Sequence, residues 1–252
     1  MSPIQILEPL IFIALTIIAI GFVFKRGKII SKTIRLGRDE ELKGPKSARW
    51  KNVFLLALGQ QKMFRKPGVA ILHLIVYAGF IIINIEIIEI ILDGILGQHR
   101  LFAPLLGAVY PVLINSFEAL ALLVLLACIV FLIRRNLKSI TRLQSADLNG
   151  WPRKDATIIL GAEIILMSLF LIMNASDTLL QQRGHLSYSE HPTGNFWISS
   201  LLHPLLSNWS THSLVIAERA SWWLHILGIY AFLNYLPYSK HLHIILAFPN
   251  AY

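Results

Sequence analysis

Three of the nine histidines stand where an ionisable side chain is costly. His73 and His225 lie inside long apolar stretches, and His243 lies at the inner end of the last one. Polar and ionisable residues within membrane segments usually mark functional sites. If the last stretch continues as one helix, the 18 residues from His225 to His243 make five whole turns. Both rings then share a face about 27 Å apart, close to the hydrocarbon thickness of about 30 Å. His241 would point roughly the opposite way, but Pro237, between His225 and both of the later histidines, could bend the helix, so His241 stays a cofactor-binding candidate behind His243. His73 follows Pro67 by about two turns, so His73 and His243 can meet at one depth on different helices. Two imidazoles facing each other from neighbouring helices are the usual axial ligands of a b-type haem. Arg65, Lys66 and Lys240 lie near that end and could neutralise haem propionates, or could serve only as positive anchors at the membrane surface. The remaining histidines, His99, His185, His191, His203 and His212, fall in wet or interfacial segments and read as ordinary surface residues.

Carboxylates form the second set. Glu86, Glu89, Glu118 and Glu163 lie in or at the ends of the apolar stretches. Glu86 and Glu89 follow His73 by 13 and 16 residues and fall on roughly the opposite helical face, near the far surface. Carboxylates placed there could carry protons released when a quinol is oxidised, or could simply face water or an interhelical hydrogen bond.

These residues need a membrane to hold them. The chain has 252 residues, of which 55% are hydrophobic and 15% charged; soluble domains carry about 25% charged residues. Five stretches are long and apolar enough to span a bilayer: residues 6–24, 69–92, 105–133, 157–180 and 214–236. They lack the alternation of barrel strands. Pro67, Pro104, Pro111, Pro152 and Pro237 fall at span boundaries, where helices tolerate proline. All but three of the 23 basic residues (Arg100, Arg183 and Arg219) lie on one side. The expectation is an all-α membrane protein, a five-helix bundle with its N-terminus outside and its C-terminus cytoplasmic, in the cytoplasmic membrane of a bacterium or archaeon. The net charge of +9 is then topological and implies no nucleic acid. The whole chain, 1–252, reads as one membrane domain in contact with lipid. An interfacial amphipathic segment is expected near 47–64 and an outer one near 195–209. The first stretch has no basic residues before it and reads as a retained helix rather than a signal peptide. The single Cys128 excludes an intrachain disulfide and any all-cysteine cluster built by this chain alone.

The run from His225 to His243, with Pro237-Tyr238-Ser239-Lys240 between and His243-Ile244 at its end, resembles the last helix of the respiratory nitrate reductase gamma subunit and of heterodisulfide reductase-related membrane cytochromes b. Trp222-Trp223-Leu224-His225 and Phe248-Pro249-Asn250 are similar to the membrane part of anchored iron–sulfur oxidoreductases. The likeness covers most of the chain in topology and its last 30 residues in motif. It implies one or two haems b, with His73 and His243 ligating the one nearer the cytoplasm and His225 the one nearer the outside. The family's second histidine on helix two would fall near Ile83, where this chain has none; His99 or His203 could supply the missing ligand. The resemblance further implies a quinone-reactive subunit of a membrane oxidoreductase, exchanging electrons between menaquinone or a similar quinone and a cytoplasmic iron–sulfur protein or fused domain. A cofactor-free structural subunit or a transporter is the alternative. The chain lacks the internal repeats and broken mid-membrane helices that would favour transport.

Overall fold

Proline, glycine and serine set the boundaries of the long helices. The computed structural model describes residues 3–38, 44–137, 145, 150–190 and 193–252, and the side chains of residues 3–5, 62, 65, 186 and 187 are outside that description. Every regular element among the described residues is helical. Helix α1 is Pro3–Ile34. Helix α2, Lys46–Asn52, runs into a π-helical turn over Val53–Leu58, so most of the expected interfacial segment is helical. Helix α3, Pro67–Leu96, starts on a proline that suits the first turn. It stops at Gly97, whose φ of 65° is the left-handed cap that glycine adopts without penalty. A short helix, α4 (Phe102–Leu106), precedes α5 (Tyr110–Asn136). Helix α6 is Trp151–Gln182, again with proline in its first turn. Two single turns, α7 (Leu186–Ser189) and α8 (His203–Leu206), cross the end of the bundle. Helix α9, Thr211–Tyr235, is capped by Ser210, whose hydroxyl accepts from the Ser213 N–H, and α10 is Leu242–Ala251.

Four helices, α1, α3, α5 and α6, are long and apolar enough to cross a membrane, which makes this a multi-pass membrane protein. Their outer faces carry exposed Ile6, Leu10, Ile17, Ile81, Ile88, Leu126 and Ile165. Such a surface is stable against lipid and would aggregate in water. Helix α9 has 25 residues and is interrupted by Glu218, Arg219, His225 and Asn234. It packs lengthwise on α6. The helices close a ring in the order α1, α3, α5, α6, α9 and back to α1. Phe12, Ile83, Ile90, Tyr110, Ile114, Phe117, Phe170, Trp222 and Ile226 fill one continuous core inside it. Phe12 ties α1 to α9, with its ring 5.4 Å from Trp222 and 6.0 Å from Trp223. Close approach of α6 and α9 depends on Gly228, where a Cβ would stand 2.7 Å from Leu166 Cδ2. In the segment 195–209, expected to be amphipathic, Phe196 is buried while Trp197, Leu201 and Leu205 are exposed.

The expected continuous helix from His225 to His243 does not form. Helix α9 stops at Tyr235, a 3-10 turn follows over Leu236–Tyr238, and Ser239 is extended (φ −102°, ψ 168°). Pro237 has no N–H to continue the helical ladder. Ser239 closes the break: its hydroxyl donates to the Leu236 carbonyl at 3.0 Å and accepts from the His241 N–H at 3.1 Å. The same-face relation of His225 and His243 drawn from an unbroken helix is therefore withdrawn, and so is the opposite orientation assigned to His241.

Candidate functional site

Lysines and arginines crowd the end of the bundle where α1, α5 and α9 finish and α3 and α6 begin. At this basic end three histidines gather. His73, one and a half turns into α3, and His241 both lie within electrostatic reach of His243, and His241 also feels His73. The rings of His241 and His243 meet edge to face with centroids 6.0 Å apart, and Phe232 packs on His241 at 5.7 Å. Nδ1 of His73 and Nδ1 of His241 are buried without a hydrogen-bond partner. His243 Nδ1 lies 2.6 Å from the Lys240 carbonyl. As the donor in that bond, Nδ1 carries the proton and leaves Nε2 with a free lone pair, the arrangement metal-bound histidines favour. Burial, then the neighbouring His243, pushes His241 down to about 4, so its ring is neutral at ordinary pH. Lys66 and Lys240 are exposed at this end, and the Arg65 side chain lies outside the described residues.

Asp155 positions this group, and its role is not evident from the sequence. It is buried in the first turns of α6, accepts from the Tyr235 hydroxyl at 2.5 Å and accepts from the Lys240 N–H at 3.0 Å. One carboxylate thus clamps both sides of the break between α9 and α10. A lone aspartate among the basic residues that open α6 was the available signal. His225 stands apart from the other three. It is buried in α9, its Nδ1 is 3.0 Å from the Leu166 carbonyl, and its ring lies 6.1 Å from Phe170 of α6. No second histidine ring packs on it among the described residues. Nor do any three His, Cys, Asp or Glu side chains among those residues converge closely enough to hold a metal ion by themselves.

The opposite end holds a buried acidic cluster. Its centre is Arg100, 4% exposed and held at a φ of 56°. Its guanidinium donates to Asp177 Oδ2 (3.0 Å from Nη2 and 3.1 Å from Nε), to Glu86 Oε1 at 3.2 Å and to Asn174 Oδ1 at 2.6 Å. Burial opposes its charge, but the carboxylates around it, Asp177 nearest, outweigh that and hold it firmly positive. Asp93 accepts the backbone N–H groups of Arg100 and Leu101. Glu89 accepts the Phe102 N–H at 2.8 Å and the Tyr110 hydroxyl at 3.0 Å. Glu118 accepts from Asn174 Nδ2 and from the N–H groups of Ile198 and Ser199. His99 lies 3.3 Å from Asp177, and His203 Nε2 lies 2.9 Å from the Thr178 hydroxyl. Both histidines, which the sequence offered as ligands near His225, thus belong to this polar end. Glu163 lies outside the cluster, midway along α6 near Cys128, with no hydrogen-bond partner among the described residues. The sequence pointed to Glu86, Glu89 and Glu118, but missed Arg100, Asp93 and Asp177. The signal for Asp177 was an acid inside an apolar stretch.

No family model matches the chain. No solved structure matches it. Among curated proteins it is similar to one from Bacillus subtilis (strain 168) named "Probable iron-sulfur-binding oxidoreductase FadF", with 28% identity over 256 aligned residues that take in the whole chain. The chain spans 33% of that protein's length.

Proposed function

We propose that the chain is a membrane cytochrome b-type electron-transfer unit that exchanges electrons between a membrane quinone and an iron–sulfur partner or domain. The observation that carries this reading is the meeting of His73, His241 and His243 at the basic end, with buried ring nitrogens left unpartnered. Two segments far apart in sequence, α3 and the turn into α10, come together in this group, and ionisable side chains placed in an apolar bundle usually mark a functional site. The likeness to an iron–sulfur-binding oxidoreductase over the whole chain supports the same reading.

In this reading α9 is a fifth membrane crossing. At 1.5 Å per residue its 25 residues reach about 37 Å, more than the hydrocarbon core requires. The basic end is then cytoplasmic and the N-terminus outside, in a bacterial or archaeal cytoplasmic membrane. The cytoplasmic face is where an iron–sulfur partner would dock. His73 and His243 would hold one haem b, with His241 beside them, and Lys66 and Lys240 lie close enough in sequence to meet its propionates. When bound, haem supplies a one-electron couple inside the membrane. The chain's own part is to bring the ligands together, fix the tautomer of the exposed His243 through Lys240 and hold the turn through Asp155. His225 is not assigned a haem. Phe170 and Leu166 occupy its surroundings, and no second imidazole packs on it among the described residues. Glu86 and Glu89 lie at the far end, where a quinol giving up electrons would also give up protons.

The test is a dithionite-reduced minus oxidised spectrum of the purified, haem-replete chain, with pyridine haemochrome quantification. A b-type α band at one haem per chain is expected. A folded protein with no haem would overturn the proposal and favour a structural subunit.

A further inference from the structure

Five carboxylates surround one guanidinium at the acidic end. Glu86, Glu89 and Asp93 come from α3, Glu118 from α5 and Asp177 from α6, and each is at most 5% exposed. The other titratable groups facing them are Arg100 and His99 from the α3–α4 connection, Tyr110 from α5, Tyr188 from α7 and His203, which opens α8 and faces Glu118. Arg100 is the single permanent cation among them. Even with His99 and His203 both protonated, full ionisation would leave two uncompensated negative charges in a region that excludes water. A buried charge without a partner costs several kcal/mol, and such a group takes up a proton instead.

The hydrogen bonds indicate which carboxyl takes it. Asp93 receives two backbone N–H groups, Glu118 two backbone N–H groups and an amide, and Glu89 one backbone N–H and a hydroxyl. Asp177 receives Arg100, Gln181 and a short approach from His99. Glu86 receives Arg100 on Oε1 alone, and its Oε2 is fully buried with no partner. An oxygen left bare in this way is far cheaper on a neutral acid than on a carboxylate.

We infer that Glu86 is a proton-binding site: a neutral carboxylic acid in the resting protein, held inside the membrane by Arg100. The site takes one proton and releases it only when the charge around Arg100 changes. Its use as a relay for quinol protons, giving up its own proton before it takes the next, rests on the function proposed above, but its protonation does not, so the two can fail separately.

The experiment is infrared spectroscopy of the full purified chain at neutral pH, in water and in D2O. Expected is a carbonyl band of a protonated carboxyl group that shifts in D2O and disappears in Glu86→Gln. Glu163, a lone acid in mid-helix, could give a similar band, so the same spectra are taken on Glu163→Gln. Should Glu86→Gln fail to fold, carboxyl-13C glutamate is incorporated into the Glu163→Gln chain, where a surviving, isotope-shifted band places a protonated glutamate in the cluster. A band unchanged in folded Glu86→Gln, or no such band in folded wild-type protein, would overturn the inference. So would a cluster band that moves with labelled aspartate and not with labelled glutamate.

Discussion

The two ends of the bundle hold their buried polar groups by different means. At the acidic end five carboxylates and one guanidinium form a single network that joins three helices and two connections distant in sequence, although Glu86 Oε2 and the Ser176 and Ser199 hydroxyls have no partner among the described residues. At the basic end the imidazoles lie close together, and Nδ1 of His73 and Nδ1 of His241 are bare. A network of paired charges fixes helices against one another by itself, whereas neighbouring imidazoles with bare nitrogens keep lone pairs that a ligand could use. The contrast separates a region held together by charge pairing from one that, in the proposed function, would receive a ligand.

The largest effect should come from emptying the centre of the charge-paired end. Arg100→Met strands Asp177, Glu86 and the Asn174 carbonyl at once. Breaking a buried ion pair from one side costs about 3–5 kcal/mol, so the variant should melt far earlier in detergent, or fail to accumulate. Arg100→Lys should recover only part of this, because one ammonium cannot reproduce a planar fork that serves three acceptors. If Arg100→Met melted like wild type, the acidic end would not be the structural anchor described here.

At the basic end the expected loss is of ligand and not of fold. His73→Ala should reduce haem content to background while helicity by circular dichroism stays unchanged. His225→Ala should keep the haem and cost only packing against α6. A haem band lost in His225→Ala and kept in His73→Ala would reverse the assignment of the two histidines.

A smaller effect is expected from the clamp. Asp155→Asn keeps one acceptor oxygen but cannot accept equally from both Tyr235 and Lys240, so the turn carrying His241 and His243 loosens. Outer partners of metal ligands typically contribute 10–100-fold in affinity. Asp155 acts one step further out, and a weakening of about tenfold in haem titration is expected, with a broadened α band as the spectroscopic sign of a mobile ligand.

These differences track what the sequence could reveal. The long helices were legible because apolar runs and boundary prolines are local signals, and the observed ends fall within about six residues of those expected, except that α1 continues to Ile34 through the basic residues taken to close it at 24. The break at Ser239 was only half legible: Pro237 announced a disturbance, but not that Asp155, more than 80 positions earlier, would hold both of its sides. Arg100 read as one stray basic residue on the far side. Its meaning depends on Asp177 and Asn174, more than 70 positions away, and no periodicity links residues at such separations. His241 ranked behind His243 as a candidate on the geometry of an unbroken helix, and the broken helix removes the ground for that ranking.

The smallest effect is also the sharpest probe of the acidic end. If Glu86 already carries a proton, Glu86→Gln replaces a neutral group by a neutral isostere, and the amide can still offer its oxygen to Arg100. The expected cost is within about 1 kcal/mol, the scale of one neutral hydrogen bond. Asp177→Asn looks like the same exchange but removes the charge that faces Arg100 from two of its nitrogens, leaving the guanidinium without its best counter-ion. It should cost about 3 kcal/mol or more. Comparing the two melting shifts isolates charge from shape, because both substitutions leave volume almost unchanged. Equal shifts would mean that Glu86 and Asp177 carry the same charge in the folded protein, and the uneven share of the proton argued from their hydrogen bonds would have to be abandoned.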